Sequence, residues 1–393
     1  MVSDSDETSD MAPLDHALER ERESLFGHAE QKRTSKFEDL RTSAAATRPK
    51  AAAVFSELKS IPFHSYDAQS AAWESIVSWR AVPISGGLAK SERTGEEILR
   101  IGTYNVLMDV FLPSVLKSLN SCRWNAILED VKQSRAHVWI FSEAAPPFAT
   151  YSLNDYFIQR TFLSSDSSIT EYKTLSGPKG AAGQLMLVRK DVTLTRAHFA
   201  KAQSATGKKL VFIEAALRSG KTVTICGLHL TAGKNDRKGP QSAIKKRRKQ
   251  LDFVVSRMEE VGSHCDVHVI AGDFNVVYQE DEHSISYALT GYIEADATIL
   301  APIYDSIQNG LAYFQTKQRS QERLDRIYLR SLSKGIHAAV YSHRVMGKSP
   351  VNVSGRNDAV MLLLPTGVRA SDHFGIETTF LLSEKLEKTN KVQ

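Results

Sequence analysis

The sequence predicts a layered α+β or α/β domain: two β-sheets face to face, with helices on the outside. Three observations carry this. Short runs rich in Val, Ile, Leu and aromatic residues, each bounded by Gly, Asp or Lys, recur between residues 98 and 382. Two longer segments instead repeat their apolar residues at helical spacing. At 393 residues, 42% of them hydrophobic, the chain can bury one large core or two.

Taken in order, residues 1–50 are polar, charged and rich in Ser, Ala and Thr, and read as a disordered tail. Residues 51–97 carry aromatics and read as an N-terminal extension to which no role is assigned. The main domain is expected over 98–382, followed by a polar tail over 383–393. Its strand candidates are "ILRIGTYNV", "HVWIFSE", "QLMLVRK", "LVFIEAAL", "TVTICGLHL", "DVHVIAGDF", "LDRIYL" and "FGIETTFLL". One helix is expected over 121–134, with Trp124, Ile127, Leu128 and Val131 on one side. A second is expected over 242–260, with Ile244, Leu251, Val254, Val255 and Met258 forming its apolar stripe.

Composition excludes several classes. No apolar run approaches the roughly 20 residues that a membrane-spanning helix needs. The N-terminus opens on acidic and polar residues, without the basic start and apolar core of a secretory signal. Three widely spaced cysteines, Cys122, Cys226 and Cys265, form no C-x-x-C pair. They point to a reducing intracellular compartment, nucleus or cytoplasm, and against a disulfide framework or a zinc motif.

The net charge of +5 says little by itself, but its distribution says more. Lys234, Arg237, Lys238, Lys245, Lys246, Arg247, Arg248 and Lys249 are opposed only by Asp236. Such a block is a footprint for phosphates. It also fits a solvated helix face, or a nuclear localisation signal in "KKRRK".

The strands stop at polar residues. Asn105 closes "RIGTYN", Glu143 closes "HVWIFSE", and His229 lies in "TICGLHL". Asp273 and Asn275 close "VIAGDFN", Asp325 opens "DRIYL", and Asp372 and His373 precede the last strand. Strand alternation predicts that Asp273 and Asn275 face the same way, with Phe274 in the core. Each residue alone has an ordinary explanation: Asp and Asn are turn formers, and a His at a strand edge is commonly structural. Two amides, four carboxylates and two imidazoles together exceed what a core uses. They suit metal-assisted phosphodiester hydrolysis. A hard divalent cation takes oxygen ligands. A water needs a carboxylate to orient or deprotonate it. The phosphate needs amide and imidazolium donors, and the imidazolium needs a carboxylate partner.

"TYN", "SE", "HLT", "GDFN", "LDRIYL" and "SDHFGI", in this order, resemble the endonuclease/exonuclease/phosphatase superfamily of DNase I-like and exonuclease III-like enzymes. The resemblance covers nearly all of residues 98–382. It implies a four-layered α/β sandwich, with two central mixed β-sheets flanked by helices and the site at one end. It further implies Mg2+ or Mn2+ as cofactor. Glu143 would be the main metal ligand, with Asn105 beside it and Asp372 sharing the ion. Asp273 would orient or activate the water, and Asn275 would hold the scissile phosphate. His373, paired with Asp325, and His229 would contact phosphate. Arg247, with Lys245 and Lys246, would bind the substrate strand. The pattern departs from the family in two places: Ser142 stands before Glu143 where many members have Gln, and Leu107 stands where abasic-site enzymes have Asp.

"SDHFGI", "LDRIYLR" and "HLTAG" followed by the Arg-bearing helix are most similar to the 5′-tyrosyl-DNA phosphodiesterase branch. The implied substrate is a DNA or RNA end, including a protein-linked one. "TYNVLMD" also resembles RNA exonucleases of the deadenylase or 2′-phosphodiesterase kind. A lipid or inositol phosphatase is the third enzyme reading. A non-catalytic nucleic-acid-binding protein on a nuclease fold is the reading from another class.

Overall fold

The computed structural model describes residues 58–76, 96–107, 112, 114–166, 183–201, 208–232, 239–295, 301–316, 318–352, 364 and 367–384. The expected tail over 1–50 and the basic residues Lys234, Arg237 and Lys238 lie outside the described residues. One sheet has seven strands, in the order β1 (Lys59–Ser60), β8 (Thr193–Lys201), β9 (Lys209–Ala216), β10 (Thr222–His229), β11 (Val267–Asp273), β15 (Asp325–Ser331) and β12 (Ile293–Glu294). The other has eight, in the order β16 (Ile336–Met346), β17 (Gly375–Glu384), β4 (Glu96–Asn105), β5 (Val138–Ser142), β7 (Gln184–Arg189), β6 (Phe162–Asp166), β2 (Phe63–Asp67) and β3 (Ala72–Ile76). A short ribbon of β13 (Tyr304–Asp305) and β14 (Gln321–Glu322) stands apart. The helices are α1 (Ser114–Lys117), α2 (Asn120–Gln133), α3 (Pro146–Leu153), α4 (Tyr156–Thr161), α5 (Pro240–Gly262), α6 (Gln279–Ala288) and α7 (Gly310–Thr316).

Three apolar layers account for the stacking. Ile101, Ile140 and Ile376 from one sheet pack on Ile213, Ile225 and Val269 from the other, filling the space between the sheets. Phe212, Cys226 and Ile270, on the outer face of the seven-stranded sheet, are covered by Leu251, Val254 and Met258 of α5 and Ile285 of α6. Trp139, Phe141 and Leu187, on the outer face of the eight-stranded sheet, are covered by Ile127, Leu128 and Val131 of α2 and Phe148 of α3. The result is the four-layered α/β sandwich that the resemblance implied. Among the described residues, no helix is long and apolar enough to cross a membrane.

All eight expected strands are present, and both expected helices are found within two residues of their expected ends. The N-terminal extension has a structural role: β1 pairs with β8, and β2 pairs with both β3 and β6. Residues 59–76 therefore supply edge strands to both sheets. The polar end of the chain is likewise part of the sheet as far as Glu384.

Strand direction positions the site. In each sheet the central pair is parallel, β4 with β5 and β10 with β11. Asn105 lies opposite Ser142, and His229 opposite Asp273. Each pair is flanked by antiparallel strands, β17 beside β4 and β15 beside β11. With β7 antiparallel to β5 and β9 antiparallel to β10 as well, four strands end and four begin at one edge of the sandwich.

Candidate active site

That edge gathers every strand-end residue the sequence singled out. Asp273 is 1% exposed and lies at the centre. Its Oδ2 accepts from Asn105 Nδ2 at 3.1 Å, and its Oδ1 accepts from the Asn275 N–H at 2.8 Å. The same Asn105 amide group donates to Glu143 Oε1 at 3.2 Å, while Asn105 Oδ1 accepts from the Leu107 N–H at 3.1 Å. Asn105 is thus a bridge between two carboxylates on different sheets. Ser371 Oγ donates to the Asn105 carbonyl at 2.6 Å, which ties the Asp372–His373 segment to the end of β4.

The backbone bends sharply where these strands stop. Leu107, Glu143 and Asn275 have φ of 53°, 57° and 53°, in the left-handed region that non-glycine residues avoid at a cost of about 1–3 kcal/mol each. Asn275 therefore does not share a face with Asp273 through strand alternation, as the sequence suggested. The strand ends at Asp273, and the chain turns with the Asp273 carboxylate capping the Asn275 N–H. Asn275 Nδ2 donates to Leu230 O at 3.1 Å, and Phe274 is buried beneath α5, as expected of a core residue. Gly272 is required here: at φ 136°, a Cβ would lie 2.0 Å from the Leu228 carbonyl.

Two histidines flank Asp273. His373 Nδ1 donates to Asp325 Oδ2 at 2.6 Å, and Asp325 is fully buried. Burial opposes a charge on His373, but Asp325 and Asp372 overcome it and raise the imidazole to about 10. The pair is therefore an imidazolium with a carboxylate at neutral pH. His229 Nε2 stands 3.4 Å from Asp273 Oδ2 and 3.9 Å from Glu143 Oε1. Burial, reinforced by the cations Lys208 and His373, drives it down to about 3, so this ring is neutral. Burial also works against the Asp273 carboxylate, yet the cations His373 and Lys208 hold it below the usual range. Glu143 goes the other way: burial and then Asp372 raise it, offset in part by Lys208 and Asn105.

One expectation is overturned. Arg247 does not face the cleft. It is 3% exposed, its Nε and Nη2 donate to Asp281 at 3.1 and 2.5 Å, and its Nη1 donates to Thr231 O at 2.9 Å. A guanidinium whose donors are spent on a buried carboxylate is a structural clamp. Lys245 and Lys246, by contrast, are exposed on the same helix, as are Arg248 and Lys249.

Sequence reasoning missed three residues. Lys208 is buried beside Asp273 and Glu143, donates to Leu230 O at 2.6 Å, and is lowered by burial to about 8. Arg123 is fully buried. Its guanidinium donates to Ala370 O at 3.1 Å and Val106 O at 3.3 Å, so it fastens the two chain segments that carry Asn105 and Asp372. Gln184 lies opposite Ser142 across β5 and β7, and its amide lies between the sheets near Gly227. A carboxamide thus stands next to the Ser142 position, where the family pattern has its Gln.

By sequence, no family model and no curated protein matches this chain. By structure, it is similar to TDP2 of D. rerio solved with single-strand DNA product, at 20% identity and TM-score 0.54 over 72% of this chain and 98% of that one. Truncated TDP2 of Caenorhabditis elegans aligns at 16% identity and TM-score 0.52, over 72% and 97%. Beta toxin of Staphylococcus aureus aligns at 17% identity and TM-score 0.52, over 71% and 99%. At these identities the likeness establishes the fold alone, which this chain shares with those proteins.

Proposed function

We propose that this chain is a divalent-metal-dependent phosphodiesterase acting at nucleic-acid ends, and that it releases a tyrosyl or peptidyl adduct from a 5′ phosphate. The observation that carries the proposal is one cleft in which an ionised, doubly held Asp273 faces a charged His373–Asp325 pair. Hydrolysis of a phosphodiester needs both: an acceptor for the proton of the attacking water and a fixed positive donor for the phosphate.

The residues present fit a hard cation. Asp372 is close enough to disfavour the charge on Glu143, and the two carboxylates offer oxygen donors. Glu143 and Asp372 would hold Mg2+ or Mn2+, with Asn105 orienting Glu143. When bound, such an ion polarises the phosphoryl oxygens and neutralises developing charge. The chain's own groups do the rest. Asp273 takes the proton from water, held by Asn105 and the Asn275 N–H. His373, with Nδ1 committed to Asp325, presents its Nε2–H to a phosphate oxygen. Neutral His229 orients the Asp273 carboxylate through Nε2. Asn275 stands half-exposed at the mouth, where it meets the phosphate.

A nucleic-acid strand is favoured over a small phosphate by the exposed Lys245, Lys246, Arg248 and Lys249. The D. rerio TDP2 structure, which holds a single-strand DNA product, supports the same reading. The test is an oligonucleotide carrying a 5′-phosphotyrosine, incubated with Mg2+ or with EDTA. Release of a 5′-phosphate end with Mg2+ only is the expected result. No release, with cleavage of RNA 3′ ends instead, would overturn the substrate assignment in favour of an RNA exonuclease.

A further inference from the structure

A second cluster of ligating side chains lies on the outer face of the seven-stranded sheet, away from the proposed active site. Glu214 is the sixth residue of β9, so it stands about 20 Å along the strand from Lys208. Across the sheet, Glu214 is in register with Thr224 of β10, and Thr224 with His268 of β11. The last turn of α5 closes over this polar row. Gly262 permits the approach, because a Cβ there would lie 2.2 Å from Thr224 Oγ1 and 2.6 Å from His268 Nε2. The turn that follows brings down His264 and Cys265.

We infer that Glu214, His264 and Cys265 form a site for a zinc-class divalent cation. A carboxylate oxygen, an imidazole nitrogen and the thiol sulfur all lie within 4.8 Å of one another. His264 Nε2 is already 3.0 Å from Glu214 Oε2. Zinc bond lengths place tetrahedral ligands about 3.3–3.6 Å apart. The cluster needs to close by about an ångström at its widest. An independent observation is the state of Glu214. Its side chain is 4% exposed and its Oε1 has no hydrogen-bond partner among the described residues, with Arg196 Nη1 3.9 Å away. An unbonded carboxylate oxygen in the interior is costly, and a cation removes the cost.

The donor set selects the ion. Thiolate and imidazole with one carboxylate suit Zn2+, Co2+ or Cd2+, whereas Mg2+ and Ca2+ reject sulfur. Three protein ligands leave a fourth position to water. Binding replaces the thiol proton, which leaves for solvent, so affinity rises with pH. The ion ties the C-terminal end of α5 to β9 and stabilises the fold rather than the chemistry.

The test is Co2+ titration of the whole chelator-treated chain. One equivalent giving a thiolate-to-cobalt charge-transfer band, lost in Cys265→Ser and weakened in His264→Ala, is expected. The oxygen-rich active site gives no such band, so the two metals are distinguished. Zn2+ should also raise Tm by an increment that grows with free metal and disappears in His264→Ala, a change on an exposed ring. Absence of the band, or its persistence in Cys265→Ser, would overturn the inference.

Discussion

His373 and His229 are the same residue type, both about 95% buried and within reach of the same carboxylate, yet one is charged and the other neutral. Burial pushes both towards neutrality. Their neighbours decide the outcome: His373 meets Asp325 and Asp372, while His229 meets Lys208 and the imidazolium of His373 itself. The second effect depends on the first. Charging His373 helps to keep His229 neutral, so the cleft holds one imidazolium and one neutral ring beside Asp273.

The largest expected effect comes from removing the carboxylate that both rings surround. Asp273→Asn keeps the shape and the Asn275 cap but removes the proton acceptor. Turnover should fall by about 10²–10⁴-fold. A variant that keeps more than about a tenth of its activity is incompatible with the base assignment.

Next in size is Asp325→Asn, which gives His373 the surroundings of His229. Without its buried partner, the ring should become neutral near pH 7. Activity at pH 8 should then drop by about 10²-fold or more, with partial recovery on acidification. In the parent chain, the folded His373 value of about 10 lies above the ordinary imidazole value of 6.5. Its contribution to stability is therefore complete below about pH 6.5 and is lost as pH rises towards 10. Plots of Tm against pH for the parent and Asp325→Asn should converge over that window. Parallel curves would show that the ion pair is absent.

The third test reads the two rings directly. Nitrogen chemical shifts of labelled histidine should show one residue protonated at both nitrogens up to about pH 10 and another neutral down to about pH 3. The linkage sign for His229 is the opposite of that for His373. Below pH 6.5 the unfolded ring binds a proton that the folded one refuses, so stability falls as pH drops from about 6.5 towards 3. His229→Gln should flatten that acid limb. If both rings titrate together near 6.5, the comparison collapses.

How much of this was legible depended on burial. β4, β5, β10 and β11 read clearly because each carries a buried run rich in Ile, Leu, Val and aromatic residues. β16 and β8 did not, because as outer strands they expose much of their length and mix polar with apolar residues. The site was legible because strand direction brings the ends of four strands and the starts of four to one edge. Arg123 gave no signal, since two of its acceptors are backbone carbonyls, one of them 247 residues away. Arg247 misled because a basic run hides which member faces inward, and Asp281 lies 34 residues on.

Lys208 obeys the same strand-start rule as Asp325, and it provides the finest test. It precedes β9, which runs antiparallel to β10, so it opens at the active-site edge. Lys208→Met keeps the aliphatic stem and removes the charge. His229 then loses its largest cationic neighbour, and its pKa should rise from about 3 towards the imidazole range. Asp273 and Glu143 lose an attractive partner, so both carboxyls should titrate higher. The combined result is an acid limb of kcat/KM that moves up in pH, with a loss at pH 8 of about tenfold or less. The limb should move further up when Asp325→Asn is added, because neutral His373 no longer opposes a proton on Asp273 or His229. An acid limb that stays in place in Lys208→Met would mean that burial alone sets the His229 state, and that the two histidines differ only through Asp325.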